Sequence, residues 1–195
     1  MTDYNDKRHL GFRMTQRPEV FMIFNYLFNN EQFKRVIEIG THMAGFSLFL
    51  AYCSFVRNME FYTFDIKLKD SMPRKKVKDL NGNLNVIDVL SSEGILMIKQ
   101  LIESSGRVLL LCDGGDKIKE FNTFSKYLKS NDVIMAHDYF PSRKDFTDRS
   151  FWRSCEITDS HVKNACDKNN LYPFYQENFK DVIWLSRVKG VQDGK

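Results

Sequence analysis

Short apolar segments rich in Val, Ile and Phe alternate with longer segments of helical period along most of the chain. This alternation is typical of βαβ units, in which helices cover a mainly parallel sheet. The apolar runs predict strands at Arg35–Ile39, Glu60–Phe64, Leu84–Ile87, Arg107–Cys112, Asp132–Ala136 and Val182–Arg187. The helical period predicts helices at Pro18–Asn29, Phe46–Val56, Ser91–Glu103 and Lys117–Leu128.

A length of 195 residues suits one domain with its own core, so we treat residues 1–195 as a single domain. Residues 139–170 depart from the pattern, because they are polar, dotted with aromatic residues and helical only from about Thr158 to Lys168. They follow a strand end, where loops of open α/β sheets line the ligand crevice. We predict that they form a lid or substrate-recognition insertion. Its Trp152 could cover the cofactor or a substrate ring, or anchor the lid to the core, and the anchor is slightly favoured.

Charge and cysteine usage limit the choice of partner and compartment. The net charge is +4, and the one dense basic cluster, Lys67–Lys78, is expected to be a solvated surface rather than a nucleic-acid site. The four cysteines form no CxxC pair, which favours free thiols in a reducing compartment. The 17 phenylalanines leave room for an apolar interface in a homo-oligomer.

The N-terminal residues and the hydropathy of the chain bear on its location. The start, "MTDYNDKRHLGFR", is polar and mixed in charge, unlike a secretory signal. The longest apolar run, Phe46–Val56, falls well short of the ~20 residues that a membrane span needs. A cytoplasmic protein without a membrane partner is therefore expected.

The segment "VIEIGTHMAGFS" leads from a strand through a turn with two glycines into a helix. Gly40 and Gly45 would let backbone N–H groups approach a ligand, and the helix N-terminus favours negative charge. Asp65 directly follows the next strand, where a carboxylate can accept hydrogen bonds from both hydroxyls of a ribose. Asp88 follows the third strand, where an adenine amino group would lie. The turn does not fit the G-x-G-x-x-G spacing of dinucleotide-binding folds.

These residues resemble the motifs of the class I S-adenosylmethionine (SAM)-dependent methyltransferases. "VIEIGTHMAGFS" is similar to their first motif, Asp65 to the acid that follows it, and "VLLLCDGGDK" to the strand-four motif. The resemblance extends from about Gln16 to Arg187, and it implies an α/β fold: a Rossmann-like three-layer αβα sandwich with a mostly parallel seven-stranded sheet whose last strand is antiparallel. The cofactor-binding residues that it implies are Glu38, Gly40, Thr41, Gly45, Ser47, Asp65, Asp88 and Asp113.

A second group of polar residues follows strands four and five, in "CDGGDK" and "IMAHDYF". These strands are neighbours in the predicted fold, so Asp113, His137 and Asp138 should meet at one edge of the cofactor site. Two carboxylates and an imidazole, with waters, make an acceptable octahedral site for Mg²⁺ or Mn²⁺. Such an ion would bind a substrate oxygen and lower the pKa of its hydroxyl for methyl transfer.

This group resembles the metal-dependent O-methyltransferases, and more closely the cephalosporin hydroxylase-like branch. The first metal-binding Asp of that family matches Asp113, and its later acidic pair falls on His137 and Asp138, so that a histidine replaces one acid. The usual base position is Asp116, and Lys117 follows it. Asp116, Lys117 and His137 all stay open as the catalytic base, and Asp113 and Asp138 could instead cap helices and order loops.

The expected function is SAM-dependent methyl transfer to an oxygen of a small molecule or glycan, with or without a divalent cation. One alternative is a binding or regulatory module that kept the cofactor pocket and lost turnover, as the departures at Asp116 and His137 suggest. A nucleic-acid methyltransferase is the other alternative, supported only by the basic cluster. A hydroxylase finds no support, because the sequence has no facial-triad spacing.

Overall fold

A computed structural model describes residues 8–9, 11–68, 72–148 and 156–191. A seven-stranded sheet runs through its centre in the order β5-β4-β3-β6-β7-β9-β8, and a separate hairpin is formed by β1 and β2. The strands are β1 (Arg8–His9), β2 (Phe12–Arg13), β3 (Arg35–Ile39), β4 (Glu60–Asp65), β5 (Asn83–Val86), β6 (Val108–Cys112), β7 (Val133–Ala136), β8 (Leu171–Pro173) and β9 (Leu185–Lys189). Neighbouring strands are parallel across the sheet from β5 through β4, β3 and β6 to β7, whereas β9 runs antiparallel to both β7 and β8.

Helices cover both faces of the sheet and close two separate cores. The helices are α1 (Val20–Asn30), α2 (Gly45–Val56), α3 (Met72–Asp79), α4 (Ser92–Glu103), α5 (Lys117–Phe124), α6 (Arg143–Asp148), α7 (Asp159–Lys168) and α8 (Gln176–Phe179). Apolar residues of α1, α2 and α3 form one core, and those of α4, α5 and α7 form the other. The predicted three-layer sandwich with an antiparallel last strand is therefore confirmed.

The central strands form because their side chains are apolar on both faces. All residues of β3, β6 and β7 are buried, as expected for parallel strands covered by helices on both sides. Their predicted positions agree with the structure to within one residue. The last strand was placed too early, because residues 180–182 form a 3-10 turn and Ile183 has a φ of 56° before β9 begins.

Several described elements were not predicted from the sequence, namely α3, α6, α8, β8 and the β1–β2 hairpin. The basic cluster contributes α3, whose only buried residue among those with described side chains is Val77. Strand β8 is three residues long with one buried residue, so it carries almost no period. The β1–β2 hairpin is shorter still, and its strands pair in antiparallel register.

The predicted lid is described in part. Residues 149–155, with Trp152 and Cys155, lie outside the described residues. On one side of them is α6, and on the other is α7, which packs against α5 and β8 and so belongs to the framework. The lid role stays a prediction for the rest of 139–170. Among the helices that the structure describes, none is long and apolar enough to cross a bilayer.

We expect Asp132→Ala to destabilise the fold by about 2–4 kcal/mol, because it leaves buried donors without an acceptor. Asp132 is fully buried and accepts the backbone N–H groups of Val108 and Lys129, each at 2.8 Å. The control is Asp167→Ala, which removes an exposed ion pair with Lys163 and should change the unfolding free energy by less than about 1 kcal/mol. Urea unfolding measures both, and equal losses would contradict the assignment.

Candidate active site

A cavity of about 1020 Å³ opens at the carboxyl ends of β3, β4, β6 and β7. This is the position of ligand sites in open α/β sheets, where strand order reverses between β3 and β6. The N-terminal residues 13–16 also line it. The predicted site residues that line the cavity are Glu38, Gly40, Thr41, Gly45, Asp65, Asp88, Asp113, Asp116, Lys117, His137 and Asp138.

Gly40 and Gly45 are needed for packing between backbone segments. Gly40 has a φ of 101°, and a Cβ there would lie 2.2 Å from the carbonyl oxygen of Asp113. A Cβ on Gly45 would lie 2.5 Å from the carbonyl oxygen of Arg13. The glycines thus bring the first turn against the loop after β6 and against the N-terminal hairpin. This is a different reason from the ligand approach that the sequence suggested.

Glu38 lies at the floor of the cavity and is 1% exposed. The Thr63 hydroxyl donates to its Oε2 at 2.6 Å and lies 2.6 Å from the hydroxyl of Thr41. Burial raises the pKa of Glu38 to about 8, so its carboxyl is mostly protonated at neutral pH. Ser47 does not line the cavity: it is buried in α2, and its hydroxyl donates to the Thr41 carbonyl at 3.4 Å.

Two carboxylates stand along the cavity where the sequence placed them. Asp65 Oδ2 accepts the backbone N–H of His42 at 2.7 Å, and Oδ1 accepts that of Lys67 at 3.2 Å. Asp88 Oδ1 accepts the N–H of Leu90 at 2.9 Å. Because a carboxylate has about four acceptor sites, Asp65 can order the turn and still accept hydrogen bonds from a diol.

The loops after β6 and β7 bring Asp113, His137 and Asp138 together, as predicted. His137 Nδ1 lies 3.1 Å from Asp113 Oδ1 and 3.5 Å from Asp138 Oδ1. Burial alone would lower the pKa of His137, but the Asp113 and Asp138 carboxylates outweigh it and raise the pKa above its usual value. These two acids therefore make the ring a stronger base than an isolated histidine.

Lys117 is the first residue of α5, and its ammonium enters the same group of charges. Nζ lies 2.8 Å from Glu156 Oε2, 3.2 Å from Asp138 Oδ2 and 3.9 Å from Asp113 Oδ1. Burial works to lower the pKa of Lys117, yet the surrounding carboxylates raise it above its ordinary value. A general base needs a lowered lysine pKa, so this arrangement makes Lys117 a permanent cation instead.

The third candidate base, Asp116, caps α5. Its Oδ1 accepts the backbone N–H of Lys119 at 3.0 Å, a hydrogen bond that lowers the pKa of Asp116 and makes it a weaker base.

Sequence reasoning missed the nearby Glu120, which is buried and accepts the N–H groups of Gly114 and Asp116 at 3.1 and 3.2 Å. Burial raises the pKa of Glu120 to about 7. Glu120 thus holds the loop after β6 in place.

The sequence leaves two interpretations of Gln16, contact with the cofactor or, in preference, a helix start, but α1 begins only at Val20. The Gln16 side chain is 1% exposed and lines the cavity. Its Nε2 donates to Asp113 Oδ2 at 2.6 Å, and its Oε1 accepts the indole N–H of Trp184 at 3.2 Å. Gln16 therefore fixes which oxygen of Asp113 faces His137. Its place before a helix gave no signal for this role.

As a metal site, the group of Asp113, His137 and Asp138 has suitable donor atoms but an unsuitable charge balance. One ligand atom from each lies within 4.8 Å of the others, and the donor types suit a divalent cation. The charges do not, because the Lys117 ammonium already lies 3.2 Å from Asp138 Oδ2 and 3.9 Å from Asp113 Oδ1. A resident Mg²⁺ would have to bind these carboxylates beside that ammonium. The residues as arranged do not fit such an ion.

The structure is similar to solved methyltransferases, whereas no family model and no curated protein matches the sequence. A structure of CmcI without ligand superposes with a TM-score of 0.68 at 10% identity, over 97% of this chain and 78% of that chain. CmcI with Mg-SAM gives 0.64 at 12% identity, over 96% and 78%. The O-methyltransferase TomG from Streptomyces achromogenes, in complex with SAM, gives 0.51 at 12% identity, over 89% and 80%.

These likenesses confirm at the level of the fold the resemblance that the motifs suggested. The chain has the fold of the class I SAM-dependent methyltransferases, in the form found in CmcI. At such low identity the comparison establishes the fold, and the reaction has to be argued from the site.

We expect Glu38→Gln to remove part of the pH dependence of stability. The unfolded carboxyl ionises near 4.5, whereas in the folded state the pKa is about 8. Between these values the folded state binds more protons, so wild-type stability falls as pH rises, by at most about 1.4 kcal/mol per pH unit. The variant lacks this loss and gains on the wild type with rising pH.

Urea unfolding at about pH 5 and about pH 8 measures this difference. Glu103→Gln, at the exposed end of α4, is the matched control and should keep the wild-type slope. The same slope in wild type and Glu38→Gln would show that Glu38 is ionised in the folded protein.

Proposed function

We propose that the protein is a SAM-dependent methyltransferase that transfers the methyl group to an oxygen of a small molecule or glycan. The observation that carries this proposal is the cavity at the strand ends, which collects seven of the eight predicted cofactor residues. In this assignment Gly40 and Thr41 lie at the methionine end of SAM, Asp65 holds the ribose and Asp88 lies near the adenine.

Methyl transfer to a hydroxyl needs a proton acceptor beside the nucleophile, and His137 is the group best placed for it. Of the three candidates, Lys117 is held as a cation and Asp116 is a helix cap of lowered basicity. The Asp113 carboxylate next to His137 Nδ1 stabilises the imidazolium that forms when the ring takes up a proton. The protein otherwise aligns the acceptor with the sulfonium methyl and excludes water.

The basic cluster gives little support for a nucleic-acid substrate. Arg74, Lys75, Lys76 and Lys78 are exposed on α3, and no described residue of that helix lines the cavity. A small-molecule or glycan acceptor agrees better with a cavity whose inner end is enclosed by buried side chains. A module that binds SAM without turnover is the alternative, and it differs only in lacking methyl transfer.

We expect calorimetric titration to show micromolar binding of SAM and of S-adenosylhomocysteine to the wild type. Asp65→Asn should weaken both about 10- to 100-fold, because it removes charge from the hydrogen bonds to the ribose. Asn keeps an acceptor for the turn, so the loop should stay folded. Asp79→Asn, at the exposed end of α3 outside the cavity, should bind like the wild type.

A second measurement separates the enzyme from the binding module. Tritium from the methyl group of labelled SAM should appear in a product when phenols, catechols and sugars are offered as acceptors. Binding without transfer to any acceptor would favour the module, and no binding of SAM or S-adenosylhomocysteine would overturn the proposed function.

A further inference from the structure

The ammonium of Lys117 sits where several oxygen atoms converge. Its Nζ donates to the Gly114 carbonyl at 3.1 Å and to Glu156 at 2.8 Å, and it lies 3.2 Å from Asp138 Oδ2. Lys117 is buried, yet it lines the cavity. A buried ammonium with carboxylate and carbonyl oxygens around it has the surroundings of a bound cation.

The position is unfavourable for a lysine unless its surroundings compensate. Lys117 is the first residue of α5, and the N-terminal turn of a helix carries partial positive charge. The Asp116 cap fixes the start of that helix, so the Lys117 backbone has little freedom. Glu156 is anchored in turn, because its backbone N–H donates to the Asp138 carbonyl at 3.0 Å. The carboxylates thus hold the ammonium in place against the helix dipole.

A divalent cation and this ammonium compete for the same oxygens. Asp113 and Asp138 are two of the three groups that could ligate a metal, and both are within 4.0 Å of Nζ. Metal binding would place two positive charges next to a third in a buried cluster, where charges are poorly screened.

We propose that Lys117 is a built-in replacement for a divalent cation: its ammonium binds Asp113 and Asp138, excludes a metal from them, and presents positive charge to the acceptor oxygen in the cavity. The part concerning the acceptor rests on the proposed methyl transfer. The exclusion of metal does not, and it can be measured on the protein without any substrate.

The test is titration of the protein with Mn²⁺, with free Mn²⁺ followed by electron paramagnetic resonance. The wild type should show no Mn²⁺ site at the cluster, whereas Lys117→Met should gain one with an affinity at least about tenfold above any residual wild-type binding. Lys117→Arg keeps the charge and should behave like the wild type. Lys119→Met, an exposed lysine two residues further along α5, is the matched control and should not gain Mn²⁺ binding.

Adding Asp138→Asn to Lys117→Met should abolish the gained site, which locates the ion. Wild-type binding of Mn²⁺ that is lost in Asp138→Asn would overturn the proposal, and so would a folded Lys117→Met protein that gains no site. If Lys117→Met does not fold, as judged by circular dichroism, Lys117→Gln takes its place. Calorimetry with SAM on the same samples tests the proposed function separately, so that failure of one inference does not hide the other.

Discussion

The close approach of Gly40 to the Asp113 carbonyl is the constraint on which the site depends. A side chain at residue 40 would overlap that carbonyl, so the ends of β3 and β6 can meet only because glycine stands there. The contact sets the distance between the first turn and the loop after β6. Glu120 holds the same loop from the other side through two backbone N–H groups. The cavity is therefore shaped by backbone packing before any ligand enters it.

The sequence predicted the framework well because buried parallel strands are apolar on both faces, as in β3 and β6. It also predicted which loops would meet, since strand order fixes the neighbours at the sheet edge. It could not predict side-chain direction. Ser47 lies two residues after Gly45, yet it is buried and does not line the cavity, whereas Gln16 is distant in sequence and reaches the site. Such contacts depend on tertiary packing, which leaves no local period in the sequence.

Charge balance explains why three candidate bases behave so differently within one cavity. His137, between two carboxylates, is a group whose proton affinity is raised by its neighbours. Lys117 receives the same influence and becomes a fixed cation, because its proton is already held tightly in solution. The Asp116 carboxylate accepts a backbone N–H group at the start of α5 and caps that helix. Asp113 and Asp138 are shared by His137 and Lys117, so a change in either of these two alters the proton affinity of the other.

Gln16 joins the two halves of this arrangement. Its amide connects the indole of Trp184, just before the antiparallel strand β9, to the carboxylate of Asp113 after β6. With Asp113 Oδ2 occupied in this way, Oδ1 is the oxygen that faces His137 and Lys117. The orientation of the central acid thus follows from the segment that precedes α1. Residues 13–16 therefore line the cavity, and Gln16 among them also sets the geometry of its charged end.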